Sequence, residues 1–257
     1  MSETTWLVVP AAGQGRRMGA DIPKQYLPID KRPVLAHTLD RLHQAFPAAR
    51  LCLCLDPDDG CFDPAWVPFA DWRRVPGGAE RADSVIHALE AIANEAAADD
   101  LVLVHDAARP CVTVEDLQRL VACLADDPVG GLLAARVADT MKRDDGEGRV
   151  AATQPRAGLW HALTPQGFRY GLLRRALRHA RASGVAVTDE ASAVEALGLS
   201  PLLVAGRRDN LKITHPEDLA LAALVLSAQL QSTQVQSAQE LAAQAASSST
   251  KAPIRPW

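Results

Sequence analysis

The residues of this chain best suited to chemistry are cations set around a glycine loop. Arg16, Arg17 and Lys24 fall within Val8-Val9-Pro10-Ala11-Ala12-Gly13-Gln14-Gly15-Arg16-Arg17-Met18-Gly19 and the Pro23-Lys24-Gln25 that follows. Small residues let a ligand approach the backbone, whose N–H groups can hydrogen-bond anionic oxygens. Three cations beside such a loop suit a polyphosphate better than a neutral ligand. A second group, His105-Asp106-Ala107-Ala108-Arg109-Pro110, directly follows the apolar run Leu101 to Val104. Arg156 and Lys212 add two cations far from the loop in sequence, and a second anionic substrate would account for them.

The loop admits three readings. A Walker P-loop requires Gly-Lys-Ser/Thr at its end, which is missing. A dinucleotide fingerprint fits Gly13 and Gly15 but meets Met18 where its third glycine belongs. A tight strand-to-loop turn with incidental surface arginines is the plainest reading. Pro-Ala-Ala-Gly-x-Gly-x-Arg-Met followed by Pro-Lys-Gln is more specific than a bare Gly-x-Gly, and resembles the signature loop of sugar-nucleotide pyrophosphorylases and related nucleotidyltransferases.

These groups need a scaffold of strands whose ends converge. Trp6 to Val9 and Arg50 to Leu55 read as buried strands, and Leu101 to Val104 is apolar throughout, as a central parallel strand is. Pro33 to Phe46 has helical spacing, with Pro33 in its first turn. Residues 61 to 72 are aromatic-rich and read as an irregular loop over the core. Val75-Pro76-Gly77-Gly78 opens a helix running to about Ala96, a second glycine turn able to hold a base or ribose against the backbone. Asp106 at a strand end is a site candidate or a turn carboxylate. Thr113 with Asp116 predicts a capping box for a helix ending near Leu124. Gly130 to Val137 is a further strand. Two polar runs around Asp144-Asp145-Gly146-Glu147-Gly148 predict a protruding hairpin over 137–155, which calls for a partner subunit or stays solvated. Helices are expected over Tyr170–Ala182 and Asp189–Leu197, the second capped by Thr188 with Asp189 and Glu190 in its first turn. Leu202 to Val204 is a strand, Gly206 to Thr214 the start of a charged one, and Thr214 with Glu217 caps a last helix from Pro216 to about Leu226.

The alternation predicts an α/β fold, a three-layer Rossmann-like sandwich with a mostly parallel sheet and a protruding β-arm. One domain spans 1–228, and the Gln/Ser/Ala-rich tail, 229–257, is expected to be disordered or a frayed helix. A net charge of −4 argues against a nucleic-acid binder and leaves any nucleotide site as a local basic patch. No apolar run has the length of a membrane span, and Met1 to Thr5 do not open a signal peptide. Five cysteines without a CxxC, two of them (Cys52 and Cys54) in a buried-strand pattern, suit a reduced cytoplasmic setting.

Taken together, Pro10 to Met18, Pro23-Lys24-Gln25-Tyr26, Glu80-Arg81-Ala82-Asp83-Ser84-Val85, Val104 to Pro110, Asp139-Thr140-Met141-Lys142, Leu159 to Gln166 and Thr188-Asp189-Glu190-Ala191-Ser192 resemble the 2-C-methyl-D-erythritol 4-phosphate cytidylyltransferases over about residues 5 to 228. The resemblance implies that CTP and 2-C-methyl-D-erythritol 4-phosphate are joined to 4-diphosphocytidyl-2-C-methyl-D-erythritol with release of pyrophosphate, using Mg2+ held mainly by the triphosphate and no named protein ligand. It implies that Arg17 and Lys24 stabilise the transition state. Ala11, Ala12 and Gly13 would contact the nucleotide through the backbone, and Gly78 and Ser84 would recognise cytosine. Asp106 and Ala107 would lie beside the ribose and the incoming phosphate. Arg109, Thr140, Arg156 and Lys212 would surround the methylerythritol phosphate, with Asp209 a secondary candidate there. It also implies a homodimer in which the 137–155 arm embraces its neighbour and carries Thr140 and Arg156 to the neighbour's site. Ala79 stands where some relatives have an acidic side chain. A ribitol-5-phosphate cytidylyltransferase shares the CTP half of such a site, and a catalytically silent nucleotide-binding homologue shares the scaffold.

Overall fold

The computed structural model describes residues 4–15, 18–19 and 22–249. Seven strands form one sheet in the order β11-β7-β10-β6-β1-β4-β5, where β1 is Thr5–Pro10, β4 Arg50–Leu55, β5 Trp72–Pro76, β6 Leu101–Val104, β7 Gly131–Arg136, β10 Trp160–Arg169 and β11 Leu202–Ala205. β10 pairs antiparallel with both β6 and β7, and the other pairings are parallel. This is the mostly parallel α/β sandwich expected from the sequence.

Period-two alternation builds a core on each face of the sheet. Leu7, Val9, Leu51, Leu53 and Leu103 pack with α1 (Val34–Ala45) and α3 (Val114–Leu124). Trp6, Val8, Cys52, Cys54, Val102 and Val104 pack with α2 (Arg81–Ala91), α4 (Tyr170–Ala182) and α5 (Glu190–Glu195). Cys52 and Cys54 are therefore buried thiols, as their pattern predicts. Each fully buried leucine contributes roughly 1.5–3 kcal/mol.

A third cluster joins α6 (Pro216–Ser249) to the small ribbon β2 (Pro28–Ile29) and β3 (Arg32–Pro33) through Ile29, Val34, Cys111, Ile213, Ala222 and Leu226. It draws the 210–215 loop over the end of β6. The arm is a separate hairpin of β8 (Met141–Asp144) and β9 (Val150–Gln154), exposed along nearly its whole length. Among the described residues, no helix is long and apolar enough to cross a membrane.

Several boundaries depart from the sequence reading. Trp72 to Pro76, expected to be loop and turn, is the edge strand β5. Residues 206–214 are irregular rather than strand, because α6 and the β6 end capture them through Ile213 N–H to Ala108 O at 2.9 Å. α2 stops at Ala91, not Ala96. α5 is capped by Asp189, whose carboxylate accepts from Ser192 N–H, and not by Thr188. Asp218 rather than Glu217 closes the start of α6, accepting from Thr214 and His215 N–H at 2.8 Å each. α6 continues past Leu226 to Ser249.

Candidate active site

β1 has β4 on one side and β6 on the other, so the loops leaving β1 and β6 diverge and open a crevice at the carboxyl ends of the strands. A cleft of about 540 Å3 lies there, and Ala11, Gly13, Lys24, Gly78, Asp106 and Lys212 are among the residues lining it. Ala12, Ser84 and Ala107 also face it. Nine of the sequence-predicted site residues thus meet in one place. Arg16 and Arg17 lie outside the described residues.

One wall is the 11–15 segment. Ala11 N–H donates to Cys54 O at 2.8 Å, and its carbonyl accepts from Gln25 Nε2 at 2.6 Å. Gly15 has φ +62°, and a Cβ there would meet Lys24 Cγ at 2.9 Å, so only glycine lets Lys24 lie against the turn. Lys24 begins a single 3-10 turn and donates from Nζ to Ile213 O at 2.8 Å. Tyr26, at the end of that turn, donates its hydroxyl to Asp59 and packs its ring 5.7 Å from Trp66. Burial, reinforced by Asp59, raises the Tyr26 phenol and keeps it neutral.

The opposite wall is the Gly77–Gly78 turn. A Cβ on Gly77 would stand 2.2 Å from the Ala12 Cβ, so the two walls touch backbone to side chain. Gly78 N–H donates to Ser84 Oγ at 3.0 Å, and the Ser84 hydroxyl donates to Glu80 O at 3.3 Å, which ties the turn to the first turn of α2.

The floor is Asp106. Its Oδ1 accepts from Arg81 Nε at 2.8 Å, and its Oδ2 meets Lys212 Nζ at 3.0 Å and Arg109 Nε at 3.3 Å. Burial alone would raise this carboxyl, but Arg81, Lys212 and Arg109 overcome it and hold the group well below the usual carboxylate range. His105 fixes the turn beneath. Arg109 O can only accept, so His105 Nε2 donates to it at 3.1 Å. Nδ1 then accepts from Thr164 Oγ1 at 3.0 Å, and Thr164 Oγ1 accepts from Asp106 N–H at 3.1 Å. This neutral arrangement agrees with burial, which pushes the imidazole down to about 4.

Four predicted residues do not line this cleft. Arg109 reaches Asp106 but lies buried, its Nη1 donating to Asn210 O at 2.7 Å. Thr140 and Arg156 sit exposed at the base of the arm, with Arg156 donating to Ala138 O. Asp209 pairs with Arg207 at 2.5 Å and faces a second cavity, of about 920 Å3, beside α1, α3 and α6. Sequence reasoning assigned no role to Arg81 or Glu190. Glu190, read as a first-turn helix residue, is 1% exposed and takes Arg81 Nη1 and Nη2 at 2.7 and 3.1 Å. Burial raises its carboxyl against the pull of Arg81. The signal available was two opposite charges in two motifs far apart along the chain.

The family model for 2-C-methyl-D-erythritol 4-phosphate cytidylyltransferase matches residues 5–228. The chain belongs to this family. A cytidylyltransferase of that name from Chromohalobacter salexigens is 70% identical over 221 residues, covering 86% of this chain and 89% of the relative. One from Ectopseudomonas mendocina is 57% identical over 228 residues, covering 86% and 94%. The fold is similar to a crystal structure of 4-diphosphocytidyl-2C-methyl-D-erythritol synthase, with TM-score 0.77 at 39% identity over 88% of this chain and 99% of that one. It is also similar to the Francisella tularensis cytidylyltransferase structure, with TM-score 0.74 at 32% identity over 86% and 99%. Family membership makes the chain a nucleotidyltransferase, and its cleft lies where doubly wound sheets bind ligands.

Proposed function

We propose that the Asp106 cleft binds CTP and 2-C-methyl-D-erythritol 4-phosphate side by side and joins them. A phosphate oxygen of the second substrate forms a bond to the α-phosphorus of CTP. The bond from that phosphorus to the β-phosphate bridging oxygen breaks, and pyrophosphate leaves with the electron pair. The products are 4-diphosphocytidyl-2-C-methyl-D-erythritol and pyrophosphate. Such a step needs alignment and charge stabilisation and no covalent protein nucleophile.

The observation that carries this reading is the convergence of Lys24 and Lys212 on one cleft from opposite ends of the chain. In it, Ala11 to Gly13 receive the triphosphate against the backbone, and Gly78 with Ser84 receive the cytosine. Lys24, with Arg17, stabilises charge that grows on the α-phosphate. Lys212 and Asp106 face the incoming phosphate, with Arg109 behind them. Thr140 and Arg156 reach the same substrate from the arm of a second copy, which makes the working unit a homodimer.

Among the described residues no three histidine, cysteine or carboxylate side chains converge on a metal position, and the oxygens of Asp106 are already engaged by cations. In this reading Mg2+ is held mainly by the triphosphate, since this ion is bound largely through substrate phosphates and water with few protein ligands. Free buried thiols at Cys52, Cys54 and Cys111 suit the cytoplasm.

Phosphorus NMR of the protein with CTP, the methylerythritol phosphate and Mg2+ tests the proposal. Coupled diphosphate signals together with free pyrophosphate are expected. CTP hydrolysed to CMP, or CTP bound and unchanged, would contradict it.

A further inference from the structure

Glu190 does not line the cleft, yet it governs a residue that does. It opens α5, and Gln166 of β10 holds the residues on both sides of it, donating to the Asp189 carboxylate at Oδ2 (2.8 Å) and accepting from the Ala191 backbone N–H at 2.8 Å. Both Glu190 oxygens are taken by the two terminal nitrogens of Arg81. A guanidinium held at two nitrogens by one carboxylate has a single plane and direction left to it. The remaining Nε–H then points to Oδ1 of Asp106, at 2.8 Å. With Oδ1 occupied, Oδ2 is the oxygen that meets Lys212, at 3.0 Å.

The four groups form one line of alternating charge, Glu190, Arg81, Asp106 and Lys212, running from the buried side of α5 into the open cleft. A carboxylate buried only to satisfy an arginine would end at Arg81. This one continues, because Arg81 lines the cleft itself.

We infer that Glu190 is a positioning residue for the transfer: through Arg81 it selects the Asp106 oxygen that faces Lys212, and so places the Lys212 ammonium for the phosphate-bearing second substrate. The inference rests on the reading of the cleft given above. Without the Glu190 charge, Arg81 turns further onto Asp106 and competes with Lys212 for it.

Steady-state kinetics of Glu190→Gln and Glu190→Asp, alone and combined with Lys212→Ala, test this. For Glu190→Gln, the KM for the methylerythritol phosphate is expected to rise about tenfold while the KM for CTP changes less than about twofold. Glu190→Asp, which keeps the charge, should recover part of that loss. In the Lys212→Ala background, Glu190→Gln should cost less than about a further twofold in kcat/KM, the signature of two residues acting in one chain. Equal rises in both KM values, or full additivity with Lys212→Ala, would overturn the inference while leaving the activity in place. If Glu190→Gln does not fold, the same readouts on Glu190→Asp decide. Absence of turnover by the unmodified protein would overturn the reading of the cleft and this inference with it.

Discussion

The ammonium of Lys212 lies 3.0 Å from Oδ2 of Asp106, joining the loop before the last helix to the end of a central strand. Lys212 can hold this position because the adjacent residue, Ile213, is buried among α6 and β2 side chains. The residue that brings a cation to the cleft is thus placed by an apolar neighbour.

Asp106 balances Arg81, Arg109 and Lys212. Asp106→Asn keeps the shape and removes the carboxylate charge that three cations share, of which Arg81 retains Glu190. Removing one partner of a buried ion pair costs about 3–5 kcal/mol. Denaturant unfolding is expected to show a loss of that order, with turnover falling as well. An unchanged midpoint would mean that the three cations hold each other apart without it.

Lys24 lies against Gly15 with its ammonium on Ile213 O. Charge aimed at a transition state accelerates the reaction without tightening the ground state. Lys24→Ala should therefore bind CTP nearly normally and lose roughly 10²–10³-fold in kcat, the usual scale for removing one such donor. Calorimetric titration with CTP beside a rate assay checks both halves. Unchanged turnover would remove Lys24 from the mechanism.

His105 is buried neutral, with its pKa lowered to about 4. The unfolded chain has the ordinary value, about 6.5, so between these values it binds more protons than the folded one. The contribution is complete above about pH 6.5, declines as pH falls, and levels off below about 4. A tenfold change in proton affinity is worth about 1.4 kcal/mol, so the gap between the two values amounts to roughly 3 kcal/mol. His105→Gln cannot titrate, so the wild-type minus variant difference in stability should shrink by that order between pH 7 and 4. A difference independent of pH would show that His105 is not held neutral.

Thr140 and Arg156 are exposed on the arm and absent from the lining of their own chain's cleft. If they serve a second copy, Lys24→Ala and Arg156→Ala are each deficient, yet a mixed dimer contains one intact site. Co-expression with random pairing should restore about a quarter of normal activity. No recovery, or a fully active monomer, would confine each site to one chain.

How far the sequence foretells this structure depends on whether a residue's role is local. The β1 loop was legible because its small residues and cations are contiguous, and β6 because a run apolar on both faces can only be central. β5 was hidden because Trp72-Arg73-Arg74 looks polar: Arg73 and Arg50 cover the Trp6 ring at 5.5 and 4.2 Å while pairing with Glu95. Glu190 was hidden because an acidic residue in a helix's first turn needs no other explanation. Its partner is 109 residues away. The family resemblance makes Asp209 a secondary candidate at the Lys212 site, but the irregular 206–214 loop sends the two side chains to different cavities.

The most direct test of the account is the rate of pyrophosphate release with CTP and Mg2+, measured with 2-C-methyl-D-erythritol 4-phosphate and, separately, with ribitol 5-phosphate. Release with the methylerythritol substrate and little with the ribitol one is predicted. Release with ribitol 5-phosphate alone would keep the cleft and its charge placement but contradict the assigned substrate, and release with neither would contradict the assigned activity.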